Sequence, residues 1–171
     1  MPDNQHGDGS VVRALFAHNT WANLKLLDFC ERLNDEQLDT AAVGGYGTIR
    51  TTLSHIFRAE VGYVNQVNDR LPDVPPPRDE FPGFQVLKDA ARWAGDELLQ
   101  LALATRADTL NRTRPPRNRV EYPVADLMVQ AVTHSCEHRT QVATIITQLG
   151  LEPPDMSGWG YMEAMGSLRE L

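Results

Sequence analysis

The chain has 171 residues, a length that fits one domain around one sizeable core. Apolar residues make up 42 % and charged residues 23 %, as in ordinary globular proteins, and no apolar run approaches the roughly 18 residues of a membrane span. Sixteen basic against 23 acidic residues give a net charge of -7, which argues against general nucleic-acid binding, where many Lys and Arg must neutralise phosphates.

The first ten residues, MPDNQHGDGS, have no basic start followed by an apolar stretch. They are expected to be a flexible tail rather than a signal peptide, with the cytoplasm as the default location and one domain over 11–171. The first helical block runs from about Val11 to Leu33, where Leu15, Ala22, Phe29 and Leu33 recur at helical spacing. Asn34 and Asp35 then lead into a loop through Gly44-Gly45-Tyr46-Gly47.

A second helix is expected from near Thr48 to about Asp69, with an apolar stripe of Ile49, Leu53, Ile56, Phe57, Val64 and Val67. The proline-rich stretch from Leu71 to Gly83 cannot be helical throughout and reads as a crossover strap. A third helix covers about Phe84 to Thr105, followed by a polar, Arg-rich connector to Tyr122. Within that connector Arg112, Arg114, Arg117 and Arg119 form the one basic cluster, read as a solvated loop, with a patch for an anionic substrate or thiol cofactor as the alternative.

The fourth helix opens at Pro123 and stops at Gly150, with Pro153-Pro154 beyond. The segment after Asp155 is expected to form a short extra helix. No strand-like alternation and no repeat appear. The pattern predicts an all-α four-helix bundle with a long crossover connection.

The fourth helix carries His134-Ser-Cys-Glu-His138. Residues four apart share one helical face, so two imidazoles can converge on one metal ion. At about 100° per residue both fall near the centre of the stripe formed by Leu127, Ala131, Val142, Ile145 and Leu149. A buried imidazole without a partner costs on the order of 1–3 kcal/mol, so something must satisfy it. Two neutral core histidines bonded to backbone or to each other would also do.

His55 on the second helix breaks the tie in favour of a metal. It lies at the edge of that helix's apolar sector, with small Ala59 and Gly62 leaving room beside it. Three ligands from two helices leave a coordination position open, as in catalytic rather than structural zinc. Imidazoles suit zinc, nickel, iron or copper, with zinc and nickel the first choices for a divalent cofactor.

Cys136 points away from both histidines, and it and Cys30 are read as reduced apolar fillers, since no CxxC pattern exists. His18 is read as structural, and His6 lies in the tail. Glu60 falls in the apolar stripe of the second helix, where a carboxylate is rare unless paired. It is either bonded to Arg139, His18 or an Asn of the first helix, or it is the catalytic general base near the metal.

Three segments together resemble the DinB-like (DinB/YfiT) superfamily of metal-binding four-helix bundles. They are His18-Asn19-Thr20-Trp21-Ala22-Asn23, then Tyr46-Gly47-Thr48-Ile49-Arg50 leading to Leu53-Ser54-His55-Ile56, and His134-Ser-Cys-Glu-His138-Arg139-Thr140-Gln141. The resemblance spans about Val11 to Tyr161, and one departure is Thr140, where glycine is commoner. It implies an up-down-down-up bundle, a divalent metal on His55, His134 and His138, and frequent homodimers. It also implies chemistry on a small-molecule substrate with a low-molecular-weight thiol such as mycothiol, bacillithiol or glutathione. A metal-dependent hydrolase, a non-catalytic metal-binding or ligand-sensing bundle, and a metal-free interaction bundle are the competing functions.

Overall fold

A computed structural model describes residues 9–113 and 119–169. The first eight residues, and Arg114 and Arg117 of the basic connector, lie outside the described residues. Four long helices dominate: α1 (Ser10–Cys30), α3 (Ile49–Asn68), α4 (Phe84–Ala104) and α5 (Val124–Gln148). Between and after them lie a single turn α2 (Asp35–Leu38), a two-stranded hairpin of β1 (Leu110–Arg112) and β2 (Glu121–Pro123), and the short α6 (Gly158–Ala164).

Local chemistry sets the ends. The Thr48 hydroxyl accepts from Thr51 N–H and caps α3. Gly150, with φ 76°, terminates α5 in the left-handed conformation that a side chain would disfavour. Asn34 and Gln37 form a reciprocal capping box that makes α2. The expected loop here is thus a helical turn, which at four residues is too short to show a period in sequence.

The four long helices form a closed ring of contacts, α1–α4–α3–α5–α1. Lys88, near the start of α4, reaches Asp28 and Glu31 at the end of α1, at 2.7 and 2.8 Å, so these two helices are antiparallel. Arg70, just past α3, pairs with Glu97, while Phe81, just before α4, lies under Arg50, so α3 and α4 run parallel. The Tyr46 N–H meets Gln141 and the Tyr122 hydroxyl meets Gln66, so α3 and α5 are antiparallel. The bundle is therefore up-down-down-up, with the strap carrying the long crossover between α3 and α4.

Two apolar clusters fill it. One centres on Leu26, Leu53, Phe57, Leu87 and Ile145, the other on Phe16, Val64, Leu98 and Met128. Gly95 lets α4 approach α1, since a Cβ there would collide with the Thr20 hydroxyl. No helix among the described residues is long and apolar enough to cross a membrane.

The hairpin corrects the expectation of no strands. Its register pairs Leu110 with Pro123 and Arg112 with Glu121, whose side chains also form an ion pair. Asn111 donates to the Tyr122 hydroxyl, which donates to Gln66 on α3. Strands of three residues leave no alternation to read in sequence. Cys30 is buried as expected, and burial pushes its thiol up to about 12, but Cys136 is exposed and fills no core.

Candidate metal centre

His55 stands on α3, and His134 and His138 on the antiparallel neighbour α5. Helix α5 places its two rings one turn apart, and the α3–α5 contact brings the third to them. Ring centroids are 4.8 Å apart for His55–His134, 4.7 Å for His55–His138 and 4.4 Å for His134–His138. One nitrogen from each ring lies within 4.8 Å of the others, so one ion can reach all three. His55 and His134 face each other Nε2 to Nε2 at 2.9 Å, a contact that accommodates at most one proton.

The triad is braced by residues that the sequence reading did not single out for this role. His138 Nδ1 lies 2.9 Å from Gln141 Oε1, an acceptor, so Nδ1 carries the proton and Nε2 keeps its lone pair. The same Gln141 oxygen accepts the Tyr46 N–H at 3.3 Å. The Tyr46 ring stacks on His55 with centroids 4.0 Å apart, and the Tyr63 ring meets His134 edge-on. The loop before α3 is thus tied to both sides of the site. Gln141 was legible as a residue one turn beyond His138. Tyr46 had no signal beyond its place in the motif.

Burial, followed by the nearby His134, His138 and Arg58, holds His55 down at about 4 from its ordinary 6.5. Burial also lowers His134, helped by His138 and opposed by Glu137. Both rings are therefore neutral near pH 7, the form that binds metal. Among the described residues, His134 Nδ1 is also a buried polar atom without a hydrogen-bond partner. Three converging imidazoles, with His55 and His134 held neutral by burial and the His134 Nδ1 without a partner among the described residues, fit a divalent cation.

Two expected outcomes follow. Gln141→Leu should weaken metal affinity about 10- to 100-fold, the usual effect of losing a partner that orients a ligand, as measured by competition with a chelating dye. For metal-free protein, the sign of the pH effect comes from His55. Between about 6.5 and about 4 the unfolded chain holds a proton on this ring that the folded chain does not. Any stability advantage of wild type over His55→Gln should therefore shrink as pH falls through that window. Urea unfolding at several pH values checks it, and a pH-independent difference would contradict it.

Glu60 faces elsewhere. It is 1 % exposed, and its Oε1 accepts from Asn19 and Asn23 of α1 at 2.9 Å each and from the Ser135 hydroxyl of α5 at 2.7 Å. Arg139 donates to the side-chain oxygens of the same two asparagines, each at 2.7 Å. Burial pushes the Glu60 carboxyl up, against Ser135, Asn19, Asn23 and the Arg139 charge. Burial also lowers Arg139, opposed first by the Glu60 charge. Oε1 collects three donors while Oε2 has no partner among the described residues, so the cluster reads as a buried charge pair bridged by asparagines. This placement favours the bonded reading of Glu60 over the acid–base one.

His18 joins neither cluster. Its Nε2 donates to the Met156 carbonyl at 2.9 Å, and its ring packs against Trp21 and Tyr161, tying α1 to the segment around α6.

The model of the DinB family matches residues 1–169. The chain belongs to the DinB family. No protein of curated function matches this DinB-family chain. Its fold is similar to the crystal structure of a DinB-like protein from Bacillus cereus, with a TM-score of 0.57 and 19 % identity. That similarity covers 85 % of this chain and 95 % of the other, and at this identity it speaks for the DinB-like bundle alone.

A cavity of about 350 Å³ opens beside the triad, between α3 and the proline-rich strap. His55 stands in its wall with Gly62, Tyr63 and Pro76. Glu60 is not part of that wall.

Proposed function

We propose that this protein is a metal-dependent enzyme that uses His55, His134 and His138 to activate a low-molecular-weight thiol or a water molecule. A thiol-dependent transferase or a hydrolase would be the outcome. The observation that carries this reading is the convergence of three imidazoles on one point, with a cavity at His55 large enough for a small molecule. A bound divalent cation supplies a Lewis acid that lowers the pKa of the thiol or water, giving a nucleophile near neutral pH.

The chain's own part is positioning. Gln141 fixes the His138 tautomer, and Tyr46 holds the plane of the His55 ring. The Glu60–Ser135 bond ties α3 to α5 next to His134. The same reading takes the protein as a cytoplasmic homodimer acting on a small molecule, with size-exclusion chromatography as the check on assembly.

A second reading, a non-catalytic metal-binding or ligand-sensing bundle, is favoured by one observation. Among the described residues, no carboxylate that could act as acid or base stands in the cavity wall. Metal-loaded protein assayed against chloro-aromatic, epoxide and ester probes, with and without glutathione, separates the two. Turnover that vanishes on chelation supports the enzyme. Tight metal binding with silence under every condition overturns it in favour of the second reading.

A further inference from the structure

The cavity beside His55 has a charge character opposite to that of the protein. The chain carries a net charge of -7, yet among the described residues no acidic side chain lines this space. Two arginines do: Arg58, three residues after His55 on α3, and Arg78, across from it on the strap. Among the described residues neither is in an ion pair, whereas nearby Arg50 is occupied by Asp35 and Asp39 at 2.8 Å each. Arg58 spends one N–H on the Arg78 backbone carbonyl at 2.8 Å, which pins the strap over α3. Among the described residues, the remaining guanidinium donors of Arg58 and the whole Arg78 guanidinium are left for something else.

The rest of the wall mixes Ala59, Val61, Leu71, Pro75 and Pro76 with the amides of Asn65 and Gln66. A cavity of about 350 Å³ with a partly apolar wall and two guanidinium groups suits an anion with a short hydrocarbon body. Asp79 and Glu80 line the adjoining groove of about 290 Å³ together with Arg58 and Arg78, and they disfavour a dianion. A monocarboxylate is the better match, since its two oxygens fit the planar donor fork of arginine.

We propose that this cavity is a subsite for a small organic carboxylate, anchored by Arg58 and Arg78 and seated against His55. That the bound molecule reacts there rests on the proposed metal-dependent activity. The anchoring itself does not.

The test titrates metal-free and zinc-loaded protein with hexanoate, hexanamide and inorganic phosphate, using wild type, Arg78→Gln and Arg58→Lys. Metal content is measured on the same samples. The Arg78 side chain is exposed and bonds nothing that holds the fold, so Arg78→Gln should fold normally. Arg58→Lys keeps the positive charge and loses the planar donor fork. Hexanoate should bind at least tenfold more tightly than hexanamide, with or without metal. Arg78→Gln should lose most of that preference while its affinity for hexanamide stays put, and Arg58→Lys should keep part of it. Equal affinity for acid and amide, a preference that survives Arg78→Gln, or phosphate binding more tightly than hexanoate would overturn the proposal. A chain that prefers hexanoate but takes up no zinc would sink the metal reading alone. A chain that takes up zinc without the preference would sink the subsite alone.

Discussion

His138→Ala should abolish retention of a divalent ion. Wild type loaded with zinc or nickel and then desalted is expected to keep one ion per chain, and the variant essentially none. Losing a partner that merely orients a ligand costs about 10- to 100-fold in affinity, so losing the ligand itself should cost more than about 100-fold. The ring is not held for packing alone, because its Nδ1 is turned to Gln141 while its Nε2 side faces His55 and His134. The loss should also appear as stability. At a thousandfold excess of free metal over Kd, binding to the folded state adds about 4 kcal/mol, and His138→Ala should forgo that gain. Equal metal content in the two proteins would remove the site.

Glu60→Ala should be among the most damaging single substitutions, lowering unfolding free energy by about 3 kcal/mol. The alanine leaves the 4 %-exposed Arg139 without its counter-charge, and it strips the acceptor from Asn19, Asn23 and Ser135 together. In a domain whose total stability is about 5–15 kcal/mol, that loss is severe. Glu60→Gln retains an oxygen for the three donors and removes only the charge, so its cost should be smaller. Urea unfolding of the three proteins measures both. A change within about 0.5 kcal/mol for Glu60→Ala would mean that the cluster is not a structural unit.

The helical bundle was legible because its long helices carry strong apolar periods between glycine and proline stops. The two α5 histidines were legible for the same reason, since one period fixes their common face. His55 could be added only because a small-residue gap beside it suggested room. The contact itself, from α3 to α5, is a tertiary fact that no local pattern states. Glu60 shows the limit most clearly. A carboxylate in an apolar stripe demands a partner, and the sequence left Arg139, His18 and an Asn of the first helix open. The fold chose Asn19 and Asn23, with Arg139 acting through them.

What stayed hidden depends on short or distant pieces. The turn at Asp35–Leu38 and the three-residue strands are too brief for a period. The exposure of Cys136 follows from which face of α5 meets solvent rather than from residue type. The arginine-lined cavity exists because a strap read only as a crossover folds back over α3.

The account is most directly tested by anomalous scattering from crystals of the zinc-loaded protein. It predicts a single strong peak lying about 2.0–2.1 Å from one nitrogen of each of His55, His134 and His138. A peak at other residues, or no peak with His55 and His134 still hydrogen-bonded to each other, would contradict it.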